Sequence, residues 1–526
     1  MLAPALALAL LGLALAWSVF AKGGVWPQDW DVTLCAIGGI SAGYWLFTRP
    51  IHRAPPLDRR LRWPILLLLC YLVFQLIPLP IAMLRVASPA RAQLVRFLQP
   101  ISPIAWAPLS VNPPAAVLGS LTIGGCIATF FLVREFAWRW SSRPWTPLLP
   151  LAAIAVCQAA IGLLQAFGPL SSGGANGSYT NRDHFAGFLE MVLPITAICG
   201  LSILRHPKTR SELSALPALA ACAWWAISAL LLLAIVYSFS RMGFLVALSA
   251  LFFVAVLGLG PQFPSRMWRR SAFALIGAIV LLAPLIITPT QLIERFAAIS
   301  STEKVSADTR VLLWEETLPL ISEFRLFGTG LGGFESSFLK YQATANSYRV
   351  EFAHNDYLQY IAELGFVGAA LLAAIAIGIV AQILNGILKL VDEDRRLVVV
   401  GCAGSLLAML MHSLVDFNTR IPANAMTLVW IAAVASTNAS TAFPAITPQP
   451  ASRKHPVSLR DQGRKRKGRG CTPPDNEGTR WLFGRRAKRT AGWWRCARFD
   501  ASRGRFARVF QPKGRACTPP DNEGTR

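Results

Sequence analysis

His354 has the side chain and the position most suited to catalysis in this sequence. An imidazole titrates near neutral pH and can take a proton from a hydroxyl group, as a general base does. His354 lies directly before a long apolar segment, within the polar-to-apolar stretch 351–365. Asn355 follows it and could contact a substrate, but Asn355 or Asp356 could equally cap the helix that begins there. In the second case His354 would be a boundary residue without a catalytic role.

Arginines and other polar residues stand at further boundaries between polar and apolar segments. A charged group near the hydrocarbon of a membrane costs free energy unless it is paired or hydrated, so each one is a functional candidate. An arginine can also reach the lipid headgroups and merely anchor a helix end, and for a single arginine both interpretations stay open. Because these residues are clustered on one side of the predicted membrane, a functional role is favoured over simple anchoring to lipid headgroups. The candidates for substrate binding are Arg241, Arg310, Arg182, Asn181, His184 and Asn355.

Several other features carry weaker signals. Residues 328–333 fit the GxGxxG pattern, but no strand–helix–strand unit surrounds them, so we interpret them as a flexible turn. Glu190 and Glu363 lie inside apolar segments and could be proton-relay or structural groups. His412 and Asp416 end another apolar segment. The sequence assigns none of these groups a role.

The composition predicts a membrane protein. Of the 526 residues, 54% are hydrophobic and 15% charged, and the mean hydropathy is +0.46, whereas soluble domains carry about 25% charged residues. We expect an all-α, polytopic membrane protein with about 12 spans of roughly 20 residues each, of which residues 1–440 form the membrane domain. The spans are expected near 2–21, 31–48, 64–84, 115–133, 147–167, 184–204, 216–236, 243–260, 271–288, 357–388, 397–412 and 421–436.

Lys and Arg residues in the short connections predict the orientation. They are concentrated in alternate connections, and this asymmetry places those connections and both termini in the cytoplasm. The opposite side, which is periplasmic in a bacterium, then includes the Gly-rich connection 171–183 and a large loop at 289–356. Within that loop, residues 308–323 have the spacing of an amphipathic helix. Because long connections usually carry function, we expect the site on this face.

Residues 441–526 form a separate basic tail. Residues 451–526 hold 21 Lys and Arg against 6 Asp and Glu, so most of the net charge of +24 lies outside the membrane domain. The 14-residue segment 467–480 returns at 513–526 with one change, Ala516 in place of Gly470. Its composition predicts a disordered tail, held against anionic cytoplasmic lipid or present as an accidental extension. We favour the accidental extension and expect no nucleic-acid partner.

Five short motifs, in order along the chain, resemble those of the O-antigen ligase and O-antigen polymerase superfamily of bacterial inner membranes. They are residues 177–186, 240–241, 308–314, 327–332 and 353–358, and residues 412–417 are similar to the family's late motif. The resemblance covers about residues 1–440. Each motif is weak alone, but their order on a chain with this many spans makes the combination specific.

The resemblance implies a metal-independent, inverting glycosyltransferase that needs no cofactor. Such an enzyme takes a glycan from an undecaprenyl-pyrophosphate donor and joins it to an acceptor sugar hydroxyl at the periplasmic face. His354 matches the residue that deprotonates the acceptor, and Arg241 and Arg310 match the residues that hold the donor pyrophosphate. Arg182, with its neighbours Asn181 and His184, could position the donor or simply shape the turn.

The resemblance leaves the acceptor open. An O-antigen ligase, which uses lipid A core in lipopolysaccharide biosynthesis, fits slightly better because of the large 289–356 loop and the single evident basic histidine. An O-antigen-type polymerase and a protein glycan ligase share the same motifs. A transporter of lipid-linked glycans in the same membrane is the alternative from another class, but carriers often have two similar halves and midplane charges. The sequence shows no clear repeat of one half in the other, and its candidate groups gather at the outer boundary instead.

The tail can be tested directly. If it is an accidental extension, a chain that ends after Ala451 should keep the glycan-transfer activity that the resemblance implies, measured with the full-length chain beside it. Loss of that activity on truncation, with the shortened protein still folded, would show instead that the tail contributes to function.

Overall fold

A computed structural model describes residues 2–47, 54–168, 173–205, 215–260, 304–343 and 349–440, the single residues 267, 270 and 277, and two strands in the tail. Of residues 304–309 and the tail strands only the backbone is described. The expected span at 271–288 and the two copies of the duplicated tail segment therefore lie outside the described residues.

The described membrane domain is almost entirely helical, as expected. Its helices are α1 (Leu2–Phe20), α2 (Pro27–Phe47), α3 (Arg59–Leu76), α4 (Ile81–Ala87), α5 (Pro89–Leu98), α6 (Pro113–Arg139), α7 (Leu149–Phe167), α8 (Arg182–Arg205), α9 (Leu216–Tyr237), α10 (Arg241–Leu259), α11 (Lys304–Glu323), α12 (Phe334–Phe338), α13 (Asp356–Lys389), α14 (Glu393–His412) and α15 (Pro422–Asn438). Short 3₁₀ turns at Thr146–Leu148 and Asn418–Arg420 precede α7 and α15.

Eight of the described helices are long and apolar enough to cross a membrane: α1, α6, α7, α8, α9, α10, α13 and α14. The expected number of about 12 is therefore not confirmed. Three further expected spans coincide with α2, α3 and α15, but these helices have lower apolarity or are shorter. Helix α3 is not among the eight because it begins with three charged residues, Arg59, Arg60 and Arg62.

The span expected at 64–84 ends early, at Leu76. Ile77 is extended (φ −71°, ψ 124°) because it precedes Pro78, whose ring disfavours the helical conformation of the residue before it. The chain then forms a two-residue strand, β1 (Leu79–Pro80), which pairs antiparallel with β2 (Trp106–Ala107). The short helices α4 and α5 lie between these strands in the chain, so this region does not complete a membrane span.

The connections between helices gather at two ends of the bundle. One end, here called the site end, is joined by backbone hydrogen bonds between distant turns: Ala423 N to Gly23 O at 3.1 Å, Ala175 N to Tyr237 O at 2.8 Å, and Asp356 N to Ser413 O at 3.0 Å. The opposite end is joined largely by arginines, among them Arg134 to Pro55 O at 2.6 Å, Arg205 to Glu393 at 3.0 Å and Arg395 to Asn438 O at 2.7 Å. The candidate residues His184, Arg241 and His354 are all at or next to the site end.

The helices differ greatly in how fully they are covered. In α8, 78% of the most apolar window is buried inside the bundle, against 17% in α13. Helix α8 packs against α7, α9, α10 and α14 and so forms the centre of the bundle. Helix α13 packs chiefly against α3, α14 and α11. Much of its apolar surface is consequently left for lipid or for a ligand.

Helix α13 is interrupted at Gly365, where the backbone leaves the helical conformation (φ 62°, ψ −176°). A break frees backbone N–H and C=O groups that need partners where water is excluded. Segment 325–330 supplies them, through hydrogen bonds from Phe366 N to Arg325 O at 2.8 Å, Val367 N to Leu326 O at 3.2 Å, Thr329 N to Ala362 O at 3.0 Å and Gly330 N to Glu363 O at 2.9 Å. The broken helix is therefore completed by the loop.

The expectation of a flexible turn at 328–333 is wrong for the same reason. Most of this segment is buried, and Gly332 N also donates to the Glu363 carboxylate at 2.8 Å. Gly328 has φ +70°, and a Cβ there would overlap the backbone at Glu363 and Gly365. Glycine is needed because two backbones touch, which is also why the GxGxxG pattern appears without a nucleotide-binding fold.

The chain divides into two compact units, Met1–Ala445 and Ile446–Arg526, and the tail belongs to the second. In it, β3 (Trp493–Asp500) pairs antiparallel with β4 (Arg505–Pro512), with Trp493 opposite Pro512. The expected all-α fold therefore does not describe these two strands, while the disorder predicted for residues 441–526 stays a prediction.

The contact between Gly328 and Gly365 leads to a stability prediction. An added Cβ at Gly365 would meet the carbonyl of Leu326, and the left-handed backbone alone costs an alanine about 1–3 kcal/mol. Gly365→Ala should therefore clearly lower the thermal unfolding temperature in detergent. Gly38→Ala in α2 is the matched control, because nothing lies within 4 Å of its Cβ position. Equal stability of the two variants would contradict the interlocked backbones.

Candidate functional site

A cavity of about 1540 Å³ joins the site end to the apolar surface of α13. Its polar wall comes from loops and helix ends and includes Asn181, His184, Arg310, His354, Asp356 and Arg420. Its remaining wall is almost wholly apolar and is built from α3, α6, α13, α14 and α15, for example by Leu61, Ile65, Ile127, Ala373, Val380 and Val429. The cavity therefore offers polar chemistry at one end and a hydrocarbon-like surface along the membrane helices.

His354 lies on the polar wall and pairs with a carboxylate 62 residues later in the chain. Its Nδ1 is 3.3 Å from Oδ1 of Asp416. The His354 side chain is 36% exposed and that of Asp416 is 1% exposed, so the imidazole faces the cavity and the carboxylate lies behind it. His354 is also one of three described non-glycine residues with positive φ (49°). Such a backbone is kept only where the surroundings enforce it, as at functional sites.

The charge state of Asp416 determines which nitrogen of His354 is free. Burial alone would raise the pKa of Asp416, but the hydrogen bond from His354 and the charges of the neighbouring histidines and Arg310 hold that pKa well below its usual range. An ionised carboxylate only accepts hydrogen bonds. In the neutral imidazole, this contact places the hydrogen of His354 on Nδ1 and leaves on Nε2 the lone pair that a general base needs.

Asp416 lies in the turn 413–421 between α14 and α15, and two sets of contacts hold this turn. On one side, the Asp356 carboxylate accepts from Ser413 Oγ at 2.8 Å and from Thr419 N at 3.0 Å. On the other side, Asn424 Nδ2 bonds both Asn418 Oδ1 at 2.9 Å and the carbonyl of His184 at 3.0 Å. Hydrogen bonds thus connect the turn directly to the start of α13 and, through Asn424, to the start of α8.

Aromatic rings complete the setting. Phe417, the residue after Asp416, stacks on Phe352 with ring centroids 4.3 Å apart. The rings of His184 and His354 make T-shaped contacts with Phe417, with ring centroids 4.7 Å and 4.8 Å from its centroid. Phe417 therefore contacts both imidazoles and restricts their orientations.

Arg310 reaches the same cavity from α11. Helix α11 is tied to the segment before His354 by a hydrogen bond from Trp314 Nε1 to the carbonyl of Ala353 at 3.0 Å. Leu313 and Ala353 also share one buried cluster. A helix is present over residues 308–323, as expected, but Val311 and Leu318 of its expected apolar face are exposed, whereas Leu313 and Leu320 are buried. The structure brings Arg310 and His354 onto one wall.

Residues 226–373 match the model of a family described as O-antigen ligase. The resemblance to the O-antigen ligase superfamily is confirmed. The match covers less than half of the chain and contains Arg241, Arg310, His354 and Asn355, but not the 171–184 region or the turn with Asp416. No curated protein matches the chain.

The family match and the eight apolar helices together support a multi-pass membrane protein that is similar to the O-antigen ligases. That superfamily is one of membrane glycosyltransferases, and it implies a lipid-linked glycan and an acceptor as general partners.

Other expected substrate-binding residues lie at the site end with different surroundings. Asn181 lines the cavity, and its Oδ1 accepts from Asp183 N at 2.9 Å. Of the described residues, Arg182 and Arg241 are half-buried at the first positions of α8 and α10 and do not line the cavity. A Cβ at Gly243 would lie 2.6 Å from Cβ of Ala186, so the starts of α8 and α10 are neighbours. The structure therefore unites Arg310 with His354 but leaves Arg241 to one side.

Asn355 is a helix cap, the alternative left open by the sequence. Its Oδ1 accepts from Tyr357 N at 3.0 Å and Leu358 N at 3.1 Å, while its Nδ2 donates to the carbonyl of Leu414 at 2.9 Å. It is not among the described residues that line the cavity. The cap does not exclude a catalytic role for His354, because the same contacts fix the backbone from which His354 projects.

Sequence reasoning missed a second polar network in this wall. Arg420 forms an ion pair with Glu363 and lies 4.4 Å from the ring centroid of Tyr360. A further buried pair joins His412 Nδ1 to Glu190 Oε1 at 2.8 Å. The partners in these pairs are 57 and 222 residues apart, so no local pattern could have identified them.

The capping contacts of Asn355 give a prediction about stability. Asn355→Ala should lower the free energy of unfolding by about 0.5–2 kcal/mol, whereas Asn355→Ser, which still caps, should recover most of it. Thermal unfolding in detergent measures both. The matched controls are the same two changes at Asn112, the N-cap of α6. If serine at position 355 were as destabilising as alanine, capping would not be the contribution of Asn355.

Proposed function

We propose that this protein is an O-antigen ligase. It transfers a glycan from undecaprenyl pyrophosphate to a sugar hydroxyl of lipid A core, at the periplasmic face of a bacterial inner membrane. The single observation that carries the proposal is the pair of His354 and Asp416 on the polar wall of a cavity whose other wall is apolar. The superfamily match across residues 226–373 supports it.

His354 acts as the general base. Its Nε2 accepts the proton of the acceptor hydroxyl as the oxygen attacks the anomeric carbon of the donor glycan. The new glycosidic bond forms as the bond to the pyrophosphate oxygen breaks. The imidazolium formed in this step lies beside the ionised Asp416, whose negative charge stabilises it. Attack from the side opposite the leaving group inverts the anomeric configuration.

Arginines neutralise the leaving pyrophosphate, and the proposal includes no metal ion or cofactor. Arg310 is the first of them because it shares the cavity wall with His354. A guanidinium group stays charged and can bind two phosphate oxygens at once. Arg241 is at the neighbouring start of α10, where it would meet the donor lipid rather than the acceptor. Arg182, Asn181 and His184 belong to the turn that closes this side of the cavity.

The apolar wall suits a polyisoprenoid chain. After the break at Gly365, the lining residues of α13 extend from Phe366 to Val380, which corresponds to roughly 20 Å at 1.5 Å per residue. The same helix is the least covered of the eight apolar ones. A lipid tail lying there would bring its pyrophosphate to the polar end, next to Arg310 and His354.

The orientation of the chain is part of the proposal. Both termini lie in the cytoplasm, because the end of the bundle opposite the site carries Arg134, Arg205, Arg395 and Arg396. The site end then faces the periplasm, where the lipid-linked donor is available. Gathering of the candidate groups at one end also favours a transferase over a transporter of lipid-linked glycans.

Glycan transfer in vesicles tests the proposal. Purified protein receives an undecaprenyl-pyrophosphate glycan as donor and lipid A core as acceptor. A glycosylated lipid A core supports the ligase, and longer lipid-linked glycans would show an O-antigen-type polymerase instead. Transfer to an added protein acceptor alone would show a protein glycan ligase. If no new bond formed with any acceptor, a transporter would become the better proposal.

The base assignment gives the sharpest prediction. His354→Ala should lower kcat by about 10²–10⁴-fold in that assay, because general-base catalysis contributes by that factor. The control is Lys340→Ala, which removes an exposed ion pair with Glu323 from the same loop and should leave the rate within about twofold. Full activity of a folded His354→Ala protein would exclude His354 as the base.

A further inference from the structure

Asp416 faces two imidazoles, and the proposed mechanism uses one. His354 lies on Oδ1 at 3.3 Å, and Nε2 of His184 lies 3.8 Å from the other oxygen, Oδ2. The two histidines come from different parts of the fold. His354 projects from the loop before α13, whereas His184 is in the first turn of the central helix α8.

His184 is an unusual residue for an apolar core. It is 4% exposed, and among the described residues its Nε2 has no hydrogen-bond partner. Oδ2 of Asp416 likewise has no hydrogen-bond partner among the described residues, whereas Oδ1 accepts from both His354 and Phe417 N. Buried polar atoms without partners are costly, so two such atoms 3.8 Å apart form a contact that closes when either side chain shifts slightly.

The ring of His184 is already aimed at this contact. Phe417 holds it edge-on at 4.7 Å, and Asn424 anchors its backbone carbonyl at 3.0 Å. Asn424 also bonds Asn418 in the turn that carries Asp416. His184 and the turn that carries the carboxylate are therefore connected to the same support, Asn424.

We propose that His184 is a positioning residue for the base: it holds Oδ2 of Asp416 so that Oδ1 stays on Nδ1 of His354. This inference rests on the proposed glycan transfer with His354 as base. A carboxylate bound through one oxygen can rotate about its Cβ–Cγ bond, and rotation would remove the acceptor from Nδ1. A second donor on Oδ2 prevents that rotation and keeps Nε2 of His354 directed at the acceptor hydroxyl.

Substrate binding was the role expected for His184, and its burial argues for the positioning role. A side chain that is 5% exposed can offer little surface to a glycan, although its residue lines the cavity. The two roles predict different kinetics. A substrate ligand contributes mainly to KM, whereas a residue that orients the base contributes to kcat.

The test compares His184→Phe, which keeps a ring but has no donor, with His184→Gln, whose amide N–H reaches the position of Nε2. In the vesicle assay we expect His184→Phe to lower kcat by about 10- to 100-fold, with both KM values changed by less than about twofold. His184→Gln should recover most of the loss. In an Asp416→Asn background, His184→Phe should have little further effect, because the two residues act through one contact.

Other outcomes overturn the inference. Equal losses with glutamine and phenylalanine, a loss confined to KM, or a full additional loss in the Asp416→Asn background would each show that His184 does not act through Asp416. If His184→Phe does not fold, His184→Gln and His184→Asn make the same comparison, with glutamine expected to be the more active. A wild-type protein that transfers no glycan would overturn the proposed function and this inference together. Active wild-type protein, inactive His354→Ala and fully active His184→Phe would overturn this inference alone.

Discussion

A buried negative charge must be compensated, and the charge of Asp416 is the constraint on which the rest of the site depends. The carboxylate is 1% exposed, and four groups surround it: His354 and Phe417 N donate to Oδ1, Arg310 adds a positive charge, and the ring of His184 lies 3.8 Å from Oδ2. Each of these comes from a different element, namely the loop before α13, helix α8, the turn itself and helix α11. Compensating one charge therefore requires the bundle and the large loop to meet at one point.

The broken helix α13 shows how the loop and the bundle are joined. Transmembrane helices satisfy their own backbone groups, so an interruption is tolerated only where protein supplies the missing partners. Segment 325–330 supplies them at Gly365, and Glu363 beside the break binds Gly332 N and Arg420. The loop is thus bonded into the helix that follows His354. These main-chain bonds therefore help to fix the position of the imidazole at the site end.

The cavity has one polar wall and one apolar wall. Its polar wall carries guanidinium and imidazole groups, while α13, with 17% of its window buried, offers an apolar wall. A lipid-linked glycan has the same division, with a charged pyrophosphate between a hydrocarbon tail and a polar sugar chain. A site at the end of the bundle, rather than at its midplane, lets the sugar remain in water while the lipid stays in the bilayer.

The sequence by itself determined the membrane class, the superfamily and His354 as the first candidate, because hydropathy and short motifs are local properties of the chain. It also located the helix that carries Arg310. Only the tertiary structure showed that His354 pairs with Asp416 and that Asn355 caps a helix. It also showed that Arg241 lies outside the cavity wall and that the Gly328–Gly333 segment is hydrogen-bonded to the broken helix α13. These outcomes depend on contacts between residues dozens to hundreds of positions apart. Such contacts arise from how helices pack, and no local spacing encodes them.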